Sequence, residues 1–171
     1  MKNLNLTPPV PLDGERTVRH TARAIVIENA KILMVYTGRY DDYSIPGGGV
    51  NPNETVTAAL KRELHEETGA HSIAILKPWG QYREYRRHSK QPEQVMEVIS
   101  HYYFCALTAP LGAAKLEDYE IRSGVKAVWL SLDAALQHNL NTQKGALAGQ
   151  ALQREIDILQ QLIALYPNHL S

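Results

Sequence analysis

The chain has 171 residues, in which 18 Lys and Arg residues balance 18 Asp and Glu residues. This length favours one domain with a sizeable core and is short for two, and the zero net charge provides no global positive field of the kind that marks nucleic-acid-binding proteins. The single cysteine, Cys105, excludes an intramolecular disulfide framework, and its apolar surroundings predict a buried core thiol.

The N-terminal segment, residues 1–16, is rich in proline, and this composition disrupts regular structure. We predict an extended or partly disordered arm here, followed by a single domain over residues 17–171. The arm lacks the run of about 7 to 15 apolar residues found in a secretory signal, and no later stretch reaches the ~18 apolar residues that span a bilayer. We therefore expect a cytoplasmic protein without a membrane partner.

The next segment is predicted to form a hairpin. Residues 17–28 are rich in β-branched and apolar side chains, residues 29–30 suit a turn, and residues 31–36 suit a second strand. A short extended piece follows at residues 43–46, because Pro46 disfavours helix at the residue before it. The three glycines at residues 47–49 then permit backbone conformations that other residues rarely adopt.

This glycine loop leads into a predicted helix. Pro52 lies near its start, and Asn53 is a suitable N-cap, which would place Glu54 in the first turn where negative charge is favoured. Gly69 is suited to the C′ position that ends the helix.

Three glutamates cluster on the last turns of this helix. Glu63, Glu66 and Glu67 are spaced i, i+3, i+4, so they share one face. Their charges repel one another and also lie at the negative end of the helix dipole. A cation is needed to offset this charge, and clustered carboxylate oxygens suit a hard divalent ion, Mg²⁺ or alternatively Mn²⁺, whose coordination is completed by water and phosphate oxygens.

The downstream half is predicted to alternate strands and helices. Four extended segments are expected, at residues 73–79, 81–87, 95–107 and 125–130. Ser131 is the predicted N-cap of a short helix that ends near residue 138. A final helix is expected from about residue 143 to 165, with apolar positions at helical spacing: Leu147, Leu152, Ile156, Leu159 and Ile163. We expect this face to pack on the domain, with a homodimer contact as the alternative.

The segment from residue 48 to 70 resembles the signature of the Nudix hydrolases. The matching positions are Gly48, Glu54, Arg62, Glu63, Leu64, Glu66, Glu67 and Gly69. Ala70 departs from the bulkier aliphatic residue of the signature, and Asn51 stands where many members carry Glu. The resemblance implies an α/β fold, a Nudix-type α/β/α sandwich around a mixed β-sheet, here with an additional C-terminal helix.

The resemblance also implies an activity, the divalent-metal-dependent hydrolysis of a phosphoanhydride bond in a nucleoside diphosphate linked to another moiety. Glu66 and Glu67 would be inner metal ligands, Glu63 a further ligand or the proton acceptor, and Gly48 a main-chain contact. Arg62 would act as a catalytic clamp that binds a carboxylate such as Glu54 or a backbone carbonyl. An acid outside the motif usually completes the site; the candidates are Glu93, Glu97, Glu117, Asp118 and Glu120, with Glu120 or Glu117 favoured.

Substrate contacts are expected from positively charged and aromatic side chains outside the motif. The candidates are Arg23, Arg39, Gly47, Gly49 and Tyr85, beside a basic cluster at Arg83, Arg86, Arg87, His88 and Lys90. Such a cluster is suited to phosphates or RNA, although a solvated hairpin tip is the favoured interpretation. We expect a small nucleotide-type partner rather than nucleic acid. The alternative is a nucleotide-sensing or RNA-associated module without turnover, which would not need the repulsive glutamates.

Overall fold

The computed structural model describes residues 1–88, 91–145 and 151–166, and within them the chain forms eight strands and four helices. The strands are β1 (Lys2–Asn3), β2 (Glu15–Glu28), β3 (Lys31–Thr37), β4 (Asp42–Ser44), β5 (Gly47–Gly49), β6 (Ile73–Arg87), β7 (Gln94–Leu107) and β8 (Val125–Leu130). The helices are α1 (Val56–Thr68), α2 (Asp118–Arg122), α3 (Leu132–Gln143) and α4 (Leu152–Leu165).

The strands form one mixed sheet, in the order β1-β6-β7-β2-β3-β4, with β5 paired to β2 and β8 paired to β3. β2 runs parallel to β7, and β6 is antiparallel to β7. The predicted β2–β3 hairpin is confirmed, and its turn residues Asn29 and Ala30 both have positive φ, 49° and 59°. This left-handed geometry matches the twist of the flanking strands.

The sheet carries a hydrophobic core on each face. On one face, Leu60 and Leu64 of α1 pack against Ala22 of β2. On the other, Leu159 of α4 packs with Ile25 and with other buried residues of α3 and α4. Alternation along β2 sends neighbouring side chains to opposite cores. The predicted α/β/α sandwich and the packing of the terminal helix on the domain are confirmed.

Several element boundaries differ from the predictions. β6 is one continuous strand. Its pairing with β7 shifts register between residues 75 and 77 and between residues 78 and 80, so the strand continues through this stretch instead of ending there. α3 continues to Gln143, where we expected an end near residue 138, since the Asn139 side chain bonds both the N–H and the C=O of Tyr43. The final helix begins at Leu152; Leu147 lies outside the described residues. The five-residue helix α2 had no counterpart among the predictions.

The N-terminal segment contributes a short strand to the sheet. β1 pairs in parallel with β6 at Gly80 and Gln81, and the Leu4 N–H donates to the Gln81 carbonyl at 2.8 Å. The Leu4 side chain is fully buried in the core. The first residues of the predicted arm are therefore attached to the edge of the sheet.

Cys105 is a buried free thiol, as predicted, and burial raises its pKa to about 12. Such a thiol is a poor nucleophile, because little of it ionises near neutral pH. In the described part of the chain, no helix is long and apolar enough to cross a bilayer.

Candidate active site

The helix that carries the glutamates begins later than predicted. Thr55, rather than Asn53, is the N-cap of α1, and its Oγ1 accepts the Ala58 N–H at 3.1 Å. Asn53 adopts a left-handed conformation (φ 64°), which belongs to the preceding turn. Glu54 consequently lies before the helix, where its carboxylate is available to other partners. Gly69 ends α1 with φ 75°, as predicted.

Arg62 connects the helix to Glu54 and to the glycine strand β5. Its Nε and Nη2 donate to the two oxygens of Glu54, both at 2.9 Å, in a bidentate pair. Nη2 also donates to the Gly49 carbonyl at 2.9 Å, while Nη1 donates to Glu63 at 2.8 Å and to Glu66 at 3.1 Å. The predicted partners of Arg62, Glu54 or a backbone carbonyl, are both present, and this one side chain fixes the spacing of two of the clustered glutamates.

Strand β5 lies directly against the glutamates. The Gly47 N–H donates to Glu67 Oε2 at 2.7 Å. A Cβ atom on Gly48 would lie 2.5 Å from the Glu63 carboxylate, and one on Gly49 would lie 2.7 Å from the Arg19 guanidinium. A side chain at Gly48 or Gly49 would displace this carboxylate or guanidinium, whereas Gly47 needs glycine, because its φ is 135° and a Cβ there would lie 1.9 Å from the Ala22 carbonyl oxygen.

The environment shifts the pKa values of the acidic side chains in opposite directions. Burial raises the pKa of Glu67 to about 8, partly offset by the charge of Arg23, and burial likewise raises the pKa of Glu63. Hydrogen bonds from Arg62 lower the pKa of Glu54 to about 2. Glu54 is thus a permanent counter-ion for Arg62, whereas Glu63 and Glu67 lack full charge compensation.

This donor set suits a hard divalent cation, because every candidate ligand is an oxygen and two of the carboxyl groups, Glu63 and Glu67, are partly buried without full neutralisation. Among the described residues, however, no three acidic, histidine or cysteine side chains are already arranged to enclose an ion. The reason is visible at Arg62, whose Nη1 lies between Glu63 and Glu66. Binding would require these carboxylates to turn away from the guanidinium.

Helix α2 brings Glu120 to the site. Glu120 is only 7% exposed, and its charge contributes to the raised pKa of Glu67. Its Oε2 accepts the Glu117 N–H at 2.7 Å in a capping box, so this carboxylate is held in place. Glu117 itself is the N-cap. Glu97 lies elsewhere on the sheet and pairs with Arg83 at 3.3 Å.

Two of the predicted substrate-binding arginines lie near the glutamates. Arg23 Nη1 donates to the Ile45 carbonyl at 3.0 Å, and among the described residues its buried Nε has no hydrogen-bond partner. Arg39 lines a cleft together with Glu67 and Glu120. Both arginines therefore have hydrogen-bonding capacity close to the acidic centre.

Tyr85 and the basic cluster are not gathered at the site. Tyr85 stacks against Arg16, with the guanidinium carbon 5.1 Å from the ring centroid, and lines a separate cavity with Lys2 and Arg83. Arg86 turns inward to bond Glu84, whereas Arg87 donates to the carbonyls of Asp13 and Pro92. The predicted cluster is thus divided between the two faces of β6, and Lys90 lies outside the described residues.

A second set of charged residues behind the site was not anticipated from the sequence. Glu155 of α4 accepts the Ile45 N–H at 2.9 Å, next to β5, and also accepts two bonds from Arg154 at 2.6 and 2.9 Å. Arg154 donates in addition to Glu84 at 2.7 Å. Tyr119 and Arg122 of α2, which line the cleft beside Glu67, were missed as well. No local spacing rule relates these positions to the glutamates.

Comparison with known proteins identifies the family. A family model described as the NUDIX domain matches residues 18–155. The chain belongs to the Nudix hydrolase family. The match contains the glycine strand, the glutamate helix, α2 and the Arg154–Glu155 pair.

Curated relatives within the Nudix hydrolase family carry several different names. The nucleoside triphosphatase NudI of Klebsiella pneumoniae is 33% identical over 111 residues, which cover 61% of this chain and 77% of that protein. An 8-oxo-(d)GTP phosphatase of Mycolicibacterium smegmatis is 30% identical over 62% of this chain but 29% of its own length. An RNA pyrophosphohydrolase of Histophilus somni is 35% identical over 40% of this chain and 41% of its own. The chain thus spans less than half the length of the last two.

Solved structures show the same fold at low sequence identity. A Nudix hydrolase from Nitrosomonas europaea superimposes with a TM-score of 0.56 at 18% identity, covering 85% of this chain and 90% of that one. A UDP-X diphosphatase structure also gives a TM-score of 0.56, at 16% identity, with 88% and 64% coverage. These likenesses support the Nudix fold and leave the substrate open.

Proposed function

We propose that this protein is a divalent-metal-dependent hydrolase that cleaves a phosphoanhydride bond in a nucleoside diphosphate linked to another moiety. The observation that carries the proposal is the Arg62 network. It holds Glu63 and Glu66 on one helix face, with Gly48 against Glu63 and the Gly47 N–H on Glu67. A module that only senses nucleotides has no need for this repulsive cluster.

Some residues of the centre would bind the metal, and others would position the carboxylates. Glu66 and Glu67 would hold Mg²⁺, or alternatively Mn²⁺, with Glu120 beside Glu67 and the main chain at Gly48 as further candidates. When bound, the cation supplies neutralisation of phosphate charge and a more acidic water. Glu63 serves as a further ligand or accepts the proton of the attacking water. Arg62 orients the carboxylates through its contacts with Glu54 and Gly49.

Phosphate groups would be bound next to this centre. Arg23 offers a buried donor, and Arg39 lies in the cleft that Glu67 lines. Gly47 and Gly49 are further candidates for main-chain contacts with the phosphates. The names of the curated relatives favour nucleoside triphosphates as the first substrates to examine, followed by RNA with a 5′-triphosphate. The cytoplasmic location remains a prediction.

A substrate panel tests the proposal directly. The full chain is incubated with Mg²⁺ and with nucleoside triphosphates, 8-oxo-dGTP, nucleotide sugars, ADP-ribose, dinucleoside polyphosphates and 5′-triphosphate RNA, and phosphorylated products are separated by anion-exchange chromatography. We expect release of a nucleoside monophosphate or diphosphate from at least one class, and loss of that release when EDTA removes the metal. Absence of cleavage across the whole panel would reject the enzyme hypothesis.

A matched pair of glutamate variants assigns the activity to the centre. Glu67→Gln removes a carboxylate charge without changing its size and should reduce hydrolysis by about 100-fold or more. Glu28→Gln makes the same change at an exposed position at the end of β2 and should hydrolyse at the native rate. Equal rates for the two variants would contradict the assignment of Glu67.

A further inference from the structure

Two histidines from neighbouring parallel strands meet on one face of the sheet. His20 belongs to β2 and His101 to β7, and His20 Nδ1 lies 2.9 Å from His101 Nε2. Their ring centroids are 5.2 Å apart, and the ring planes are inclined by 35°. His20 is exposed, whereas His101 is only 8% exposed. One ring of the pair is therefore open to solvent, and the other is held within the sheet.

A third side chain decides which ring carries the proton between the two nitrogens. Gln81 Nε2 donates to His101 Nδ1 at 3.1 Å, so the proton of a neutral His101 ring is on Nε2. That N–H donates to the Nδ1 lone pair of His20. Burial, and then the charge of His20, lowers the pKa of His101, so this ring is neutral near pH 7. Two nitrogens thus face one another across a single proton.

The separation of these nitrogens matches that of two neighbouring ligands of one metal ion. Imidazole nitrogens bind a divalent transition metal at about 2.0 to 2.1 Å, which places two of them ~2.9 Å apart at a right angle and ~3.4 Å apart at a tetrahedral angle. The observed 2.9 Å fits the right angle, which is the geometry of tetragonal Cu²⁺ and Ni²⁺. Mg²⁺ prefers oxygen ligands, so the histidine pair and the glutamates of α1 suit different metals.

We propose that His20 and His101 form a binding site for a tetragonal divalent ion, with Cu²⁺ bound more tightly than Ni²⁺. The ion replaces the shared proton, which passes through solvent to Nδ1 of His101, so no proton is released overall. Gln81 then turns its amide and accepts this N–H through Oε1, which orients the ring toward the metal. Among the described residues, no third histidine, cysteine or acidic side chain joins the pair, so water completes the coordination beside the exposed His20. Nothing in this site depends on the proposed function.

Copper titration of the full, untagged chain tests the site. The carboxylate centre is first saturated with Mg²⁺, and bound Cu²⁺ is examined by electron spin echo envelope modulation, which counts the imidazole rings on the ion. We expect one equivalent of Cu²⁺ with two imidazoles. His20→Gln changes an exposed side chain and should weaken binding by about 100-fold or more, beyond the effect of losing an outer partner. Gln81→Leu keeps both rings but removes that outer partner and should weaken binding by about 10-fold.

Two control variants locate the ion. His71→Gln removes another exposed histidine, and Glu67→Gln alters the carboxylate centre; both should keep the native copper affinity and the two-imidazole signal. The inference is overturned if the native chain binds Cu²⁺ through fewer than two imidazoles, or if His20→Gln binds it like the native chain. Loss of the signal in His71→Gln or Glu67→Gln would place the ion elsewhere and overturn it as well. Circular dichroism checks the fold of each variant, and the imidazole count of the native chain decides the matter if His20→Gln is misfolded.

Discussion

Two arginine–glutamate networks lie on opposite sides of strand β5, and they differ in exposure. Arg62 is 29% exposed and contacts glutamates whose side chains are 15% to 33% exposed. Arg154 is 2% exposed, and its partners Glu155 and Glu84 are 1% and 13% exposed. Similar chemistry is therefore placed in two different dielectric environments.

The difference indicates two different roles. Near the surface, water solvates charges that lose a partner, so breaking the Arg62 network costs little stability but misplaces the carboxylates of the site. In the interior, a charge that loses its partner stays unsolvated, so breaking the Arg154 network is costly for folding. The first network should be needed mainly for activity and the second mainly for stability.

The largest effect is expected for Arg154→Met. This change leaves Glu155 and Glu84 buried without their shared cation, and it should lower the free energy of unfolding by about 3 to 5 kcal/mol. Urea denaturation followed by circular dichroism measures the loss. Arg62→Met makes the same substitution in the exposed network and should cost only about 1 kcal/mol. Equal losses in the two variants would show that exposure does not separate the networks.

Arg62→Lys should mainly affect hydrolysis. A lysine ammonium cannot reproduce the fork that reaches Glu54, Glu63, Glu66 and the Gly49 carbonyl together. We expect hydrolysis of the substrate identified by the panel to fall about 10- to 100-fold, with a higher Mg²⁺ concentration needed for the half-maximal rate and an unchanged unfolding midpoint. Native kinetics in the lysine variant would show that hydrolysis does not depend on the Arg62 contacts.

The buried network also predicts a pH effect through Asp42. Burial, together with the charge of Glu155, raises the pKa of Asp42 to about 6 from its ordinary value near 4. The folded state then holds this proton more tightly than the unfolded chain does, so the contribution to stability is complete below pH 4 and is lost as pH rises through 6. Asp42→Asn should remove this loss and be more stable than the native chain by about 1 to 3 kcal/mol at pH 7.5.

The Asp42 prediction is checked by urea unfolding from pH 4 to pH 7.5. Comparing the variant with the native chain at each pH cancels the contributions of the other charged groups, which are retained in both. The difference in free energy should shrink toward pH 4. A difference that stays constant across the range would mean that Asp42 ionises normally in the folded protein.

The smallest effect concerns the start of the glutamate helix. Thr55→Ala removes the oxygen that accepts the Ala58 N–H and should cost about 1 kcal/mol. Asn53→Gly preserves the left-handed backbone and should be nearly neutral. Thermal unfolding of the two variants tests the assignment, since a Thr55→Ala variant as stable as the native chain would contradict a cap at Thr55.

Local signals accounted for much of the fold. The β2–β3 hairpin, the end of α1 at Gly69, the strand β8 and the Ser131 cap each depend on residues close in sequence. The cap at Asn53 was wrong because two suitable residues lie close together, and only the backbone of Asn53 decides between them. β6 was divided in two because Pro78 and Gly80 suggest a break that pairing with β7 overrides.

The candidate site likewise combines residues that the sequence predicts with residues that only the folded structure brings together. Glu63, Glu66 and Glu67 lie within five residues, so their common face follows from helical spacing. The Glu155 contact with Ile45 joins positions 110 residues apart, and no periodicity in the sequence encodes it. Tyr119 and Arg122 lie on a helix too short to produce a pattern. Sequence therefore predicts the reacting centre better than the surfaces that would select a substrate.

The short strand β1 has a practical consequence for handling this protein. β6 would be an outer strand of the sheet if Lys2 and Asn3 did not pair with it, and Leu4 fills part of the core beneath it. Unpaired outer strands recruit other chains. Deleting the first five residues, or forcing them away with a bulky fusion partner, should therefore favour self-association. An intact N-terminus should therefore help to keep preparations of the enzyme free of such association.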